Sequence, residues 1–311
     1  MAMSARRATL AGFAYVFIAT LLWAFVPICV KKCSGAMDAY SICWVRFAVS
    51  AVVLLVISHI RGGLARIRRR DAGLIVLAGI AIGFNYVGYI RGLQSTTASA
   101  GNVVVSFEAI WLVIVSYFWL RERVTGMRLV GTLITFAGVF AAIWNGEGFA
   151  SLVRSEHFFG NMLIIGASPL WAVYGVAQKL LCDRGVSTTA SLACIFGVAT
   201  VVTFPTVLFG YDVHWPLDAG VWFWLFVLAI MGTVLSYLAM AKGFERLSAS
   251  TAGVVTCTLP ILTIIAAGIF LAEELTLAVG LGAILVVAGM LITGHAEATA
   301  KEPPVSGTFG G

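Results

Sequence analysis

The chain has 311 residues, 60% of them hydrophobic and 11% charged, with a net charge of +6. An ordinary soluble domain is about 45–50% apolar and about 25% charged, so a soluble fold of this length is excluded. The positive balance reports on membrane topology rather than on a nucleic-acid partner.

Ten apolar blocks follow in order, at residues 10–30, 39–59, 72–90, 97–120, 128–144, 158–180, 188–209, 220–241, 248–272 and 276–294. A helix needs about 20 apolar residues to cross a bilayer. Alternating barrel strands are absent, so the blocks read as helices, which satisfy their own backbone in lipid. The first block follows Arg6 and Arg7 without a small-residue cleavage site and reads as a retained helix. Residues 295–311 are polar and rich in Pro and Gly, and read as a disordered tail.

Orientation follows from Lys and Arg. With a cytoplasmic N-terminus, fifteen of the twenty fall on the cytoplasmic side and four (Lys31, Lys32, Arg91, Arg154) on the other, with Arg46 inside a span. The positive-inside rule then places both termini in the cytoplasm and the protein in the inner membrane as a multi-pass chain.

The two halves resemble each other. "LLWAFVPICVKK" (21–32) aligns with "PLWAVYGVAQKL" (169–180), pairing Trp23 with Trp171 and Lys31 with Lys179. "RGLQSTTASAGNVVV" (91–105) aligns with "KGFERLSASTAGVVT" (242–256), and "LRERVTGMRLVG" (120–131) with "LAEELTLAVGLG" (271–282). That register pairs Gly131 with Gly282 and Gly138 with Gly289. Each half holds an odd number of spans, so the second enters the membrane inverted. The expected fold is an all-α polytopic membrane protein of ten helices in two inverted five-helix repeats, at 1–148 and 149–294. Inverted repeats mark secondary transporters, with the substrate site near the midplane.

These paired repeat starts, Arg46 in the second span, and the "RERVT" and "EELT" segments before the last span of each half resemble the EamA family of the drug/metabolite transporter superfamily. The resemblance covers residues 10–294. It implies ten helices, no cofactor, and transport of small metabolites, often outward. Family members often carry a proline in the middle of the fourth and ninth spans. Pro260 fits the ninth, whereas Ala109 stands in the fourth, beside Glu108.

Glu108 is the leading candidate residue. It lies thirteen residues before Arg121, about 20 Å along a helix, and so near mid-membrane. An ionisable residue there is costly and points to function. A carboxyl in a transporter core suits proton coupling or a cationic substrate group; a structural pairing, for instance with Arg46, is the competing reading. Arg46 either snorkels outward or faces the cavity. Trp23, Trp171, Tyr174, Asn85, Tyr86, Tyr89, Asn102 and Trp111 are the remaining candidates, as aromatic walls and polar anchors.

The glycines of the fifth and tenth spans are expected to serve close packing. The six cysteines show no CxxC spacing, and the four histidines sit at span ends or in loops. With no HExxH, GxSxG or phosphate-binding loop, the sequence points to no enzyme, cofactor, metal or ATP-driven pump. The expected function is transport of a small zwitterion or cation, such as an amino acid, by alternating access. Proton-coupled export and an uncoupled exchanger both stay open, as do monomer and homodimer.

Overall fold

In the computed structural model, residues 2–63, 67–96, 101, 104–105, 107–121, 125–143, 158–215, 217–271 and 277–300 are described. Asn102, Trp144, Arg154 and Glu122, Glu273 and Glu274 lie outside them. Every regular element among the described residues is helical, with one isolated β-bridge, Met37 to Val213.

The first span is broken. Helix α1 (Ala2–Trp23) stops at Ala24–Phe25 and α2 (Val26–Cys33) resumes. Pro27 explains the break: it has no N–H to offer the carbonyl four residues back, and its ring crowds that carbonyl. Helix α3 (Ala39–Ile60) starts at Asp38, whose carboxylate accepts from the backbone N–H groups of Tyr40 and Ser41. A short 3-10 turn, Arg69–Asp71, leads into α4 (Ala72–Gln94). Helices α5 (Phe107–Leu120) and α6 (Gly126–Ile143) complete the first half.

The second half holds α7 (Phe158–Asp183), α8 (Thr188–Gly210) and α9 (Ala219–Ala229). A π-helical segment, Ile230–Leu235, joins α9 to α10 (Ser236–Phe244). Helices α11 (Ala249–Thr256) and α12 (Leu259–Leu271) form a second broken span, with Pro260 in the first turn of α12, and α13 (Leu277–Ala300) follows.

Among the described residues, six helical segments are long and apolar enough to cross a membrane: Arg7–Cys33, Ala39–Ile60, Arg69–Gln94, Phe158–Asp183, Thr188–Gly210 and Ala219–Phe244. Shorter apolar helices at Phe107–Leu120, Gly126–Gly138, Ala249–Thr263 and Ile284–Thr293 occupy the expected fourth, fifth, ninth and tenth spans. Large apolar side chains such as Phe118, Val201, Phe209 and Ile269 are exposed on the outside, as a hydrocarbon solvent requires.

Helices α6 and α13 cross where glycines meet. A Cβ on Gly131 would lie 2.8 Å from the Gly289 carbonyl, and one on Gly138 would lie 2.8 Å from the Gly282 carbonyl. Each repeat-related glycine thus packs against the partner of the other, the pattern of two equivalent helices crossing antiparallel.

Candidate functional site

At mid-span, α1, α2, α4, α7 and the start of α12 converge with Val105 and Glu108 on a small cavity. Trp23, Val26, Asn85, Tyr86, Tyr89, Val105, Glu108, Trp171 and Leu259 line it. Its volume is about 30 Å³, room for about two waters. A neighbouring space of about 10 Å³ also touches Glu108, together with Thr256 and Pro260. The centre of the protein is therefore closed around its acid. Both proline-broken spans end here: Trp23 and Val26 flank one break, Thr256 and Leu259 the other. Discontinuous helices meeting at a mid-membrane site are a transporter feature.

Six of the ten candidate residues line this cavity: Trp23, Asn85, Tyr86, Tyr89, Glu108 and Trp171. Glu108 is half-buried, and the Asn85 amide Nδ2 donates to its Oε1 at 3.0 Å. The same Nδ2 donates to the Ala167 carbonyl at 3.0 Å, which fixes the amide between α5 and α7. Trp23 and Trp171 meet edge to face with ring centroids 6.0 Å apart. The indole N–H of Trp23 is buried with no protein acceptor among the described residues.

Arg46 takes neither of the two positions the sequence leaves open, outward or into the cavity. It is fully buried, yet it lies behind Tyr86, with its guanidinium carbon 3.9 Å from that ring's centroid. Its Nε donates to Thr233 Oγ1 at 2.9 Å and its Nη2 to the Gly232 carbonyl at 3.1 Å. Both acceptors belong to the π-helical segment. A π turn departs from the α-helical ladder, and here it presents a backbone carbonyl to the arginine, while Thr233 Oγ1 donates back to the Leu228 carbonyl at 2.9 Å. Arg46 and Glu108 form no ion pair. The arginine braces the tyrosine wall; it does not neutralise the acid.

Tyr174 is fully buried one ring behind the wall, and Trp111 is exposed on the outer surface of α5. Trp111 follows Glu108 by three residues, about 60° around the helix from it, and at that angle it faces outward rather than into the cavity.

The sequence reading missed Tyr237, the hub of the aromatic cluster. Its ring centroid lies 5.1 Å from Trp23, 5.4 Å from Tyr174, 5.2 Å from Phe196 and 6.4 Å from Tyr86. The signal was present: the register that pairs Arg91 with Lys242 also pairs Tyr86 with Tyr237. Trp23 with Trp171, and Tyr86 with Tyr237, are thus two repeat-related pairs in contact at the centre. The chemistry breaks that symmetry. Glu108 corresponds to Leu259, and Asn85 to Ser236.

Among the described residues no cluster of three or more His, Cys, Asp or Glu is placed to hold a metal. The six cysteines are free thiols.

Comparison with known proteins agrees with this architecture. The model of the EamA-like transporter family matches residues 10–144 and again 158–294. A Bacillus subtilis (strain 168) protein named "Uncharacterized transporter YetK" is 28% identical over 255 residues, covering 80% of this chain and 76% of its own. The Escherichia coli (strain K12) protein named "Uncharacterized inner membrane transporter YhbE" is 25% identical over 303 residues, covering 91% and 92%. A solved crystal structure shares the fold with a TM-score of 0.76 at 19% identity, over 95% of this chain and 99% of that one.

Proposed function

The chain belongs to the EamA-like transporter family, and on that premise we propose that it is a secondary carrier whose solute binds at the Glu108 cavity. It is a multi-pass membrane protein. The carrier works by alternating access between two inverted five-helix halves, with ten spans, both termini in the cytoplasm and the inner membrane as its site. Its solute is a small organic zwitterion or cation, such as an amino acid, moved outward.

The observation that carries this reading is the placement of Glu108. It is half-buried among aromatic rings, hydrogen-bonded to Asn85, with no ion-pair partner among the described residues. Trp and Tyr faces offer a cation–π surface beside it. Trp23, Val26 and Leu259 at the two broken spans supply the movable part of the wall. The cavity is too small for a metabolite, since ligand pockets run to about 300–1,000 Å³, so the rings part to admit one.

Two couplings follow. Glu108 exchanges its charge neutraliser between a proton and the solute, which links transport to the proton gradient. Alternatively the Asn85 bond holds the carboxylate ionised throughout, and the protein is an uncoupled exchanger. Purified protein in liposomes, loaded with unlabelled amino acids class by class, tests the carrier reading. Counterflow of a labelled solute without ATP is the expected result. Binding without counterflow for every class tried contradicts it.

A further inference from the structure

A much larger space than the Glu108 cavity lies away from it. A cavity of about 620 Å³ opens between the ends of α3, α7, α8 and α10, lined by Ile57, Arg61, Cys182, Thr188, Thr189, Leu238, Lys242 and Glu245 among others. Under the positive-inside rule this face is cytoplasmic.

The repeat assigns this mouth a counterpart on the opposite face. Carrying the Trp23–Trp171 register forward pairs Ser34 with Cys182 and Met37 with Gly185; the Arg91–Lys242 register pairs Gln94 with Glu245. The counterpart is shut. Gln94 Nε2 donates across from α4 to Ser34 Oγ and to the Met37 carbonyl, each at 3.3 Å. Met37 bridges Val213, the Asp38 N–H donates to the Asp212 carbonyl, and the His214 N–H donates to the Ala36 carbonyl. Lys31 Nζ adds a bond to the Thr96 carbonyl at 2.6 Å, and Thr96 Oγ1 donates to Asn161 Oδ1 at 2.9 Å. At the open mouth Glu245 accepts from Lys242 on its own helix at 2.8 Å and from Thr188 at the start of α8 at 2.6 Å.

We propose that the 620 Å³ cavity is the solute's access mouth on the Arg61 face and that Gln94 latches the equivalent mouth on the other face. This rests on the carrier reading for its solute class: the cationic and anionic side chains at the rim suit a zwitterion.

The test locks the latch. Ser34→Cys and Gln94→Cys are introduced with Cys182 and Cys194, the two partly exposed thiols, replaced by Ser. Two reporter thiols are added separately: Thr189→Cys on the open mouth and Ser41→Cys, its counterpart on the shut one. After oxidation the Ser41→Cys reporter is expected to label with maleimide at least about tenfold more slowly than in the reduced protein, because the second state is no longer populated. The Thr189→Cys reporter labels at least as fast, and solute counterflow stops until reductant is added. Labelling of both reporters unchanged by the lock overturns the proposal, as does failure of the pair to cross-link. The labelling result needs no transport assay, so a wild-type protein without counterflow would sink the carrier reading separately.

Discussion

Replacing Arg46 by Lys should destabilise the protein more than replacing it by Met, although Lys preserves the charge. In the folded protein Arg46 makes two charge-assisted hydrogen bonds, to Thr233 and Gly232, and lies 3.9 Å from the Tyr86 ring. Such bonds are worth about 1.5–3 kcal/mol each, and a desolvated cation–π contact about 2 kcal/mol. Lys, a point charge on a flexible stem, holds at most one of the two acceptors and loses the flat stacking, yet still buries its charge. Losing one bond and part of the stacking costs about 3 kcal/mol. Met loses all three contacts, about 5–8 kcal/mol. It also removes the desolvation penalty of a fully buried cation, several kcal/mol, so the net loss is about 1–2 kcal/mol. At about 2 °C per kcal/mol for a large domain, thermal unfolding in detergent should fall by about 6 °C for Arg46→Lys and about 3 °C for Arg46→Met. A Lys variant as stable as the wild type, or a Met variant less stable than Lys, would refute the bracing role.

Other outcomes follow from the same geometry. Gly289→Leu at the α6–α13 crossing drives a side chain into Thr135 and the Gly131 carbonyl and should cost at least about 1–3 kcal/mol by unfolding. Gly126→Ala, with open space around its Cβ, should stay within about 0.5 kcal/mol. Burial alone would raise Glu245, but the bonds from Lys242 and Thr188 and the charges of Lys242 and Arg246 outweigh it and hold the carboxyl below its ordinary 4.5. Its stabilisation is then complete above 4.5 and is lost as pH falls through the depressed value. The difference in unfolding temperature between wild type and Glu245→Gln should stay flat from about pH 8 to about pH 6 and shrink only below 4.5; a difference that disappears between those two neutral values would contradict it.

Much of the architecture is legible in the sequence because lipid imposes it. Long apolar runs must be helices, and the repeated "LWA" starts reveal the duplication before any contact is known. Glu108, Asn85, Tyr86, Tyr89, Trp23 and Trp171 stand out as polar or aromatic residues at mid-span depth, and the fold brings them together. Direction around the helix was the hard part. A span apolar on every side has almost no amphipathic face, so depth is readable and azimuth is not; Arg46 and Trp111 went astray for that reason. The π-helical segment is set by a tertiary partner, since "IMGTVL" carries no local signal and Arg46 lies 186 residues from the carbonyl it binds. Tyr237 was hidden only until the repeat register was carried from Lys242 back to Tyr86.

The central claim is that the acid at the cavity is the working group of the carrier. Proton-gradient-driven uptake and solute exchange should be measured side by side in proteoliposomes for wild type and Glu108→Gln. The account predicts that Gln slows exchange, because Glu108 holds the solute under either coupling, and that any gradient-driven transport loses its pH dependence. Gradient-driven transport that keeps its wild-type pH profile in the Gln variant would contradict it.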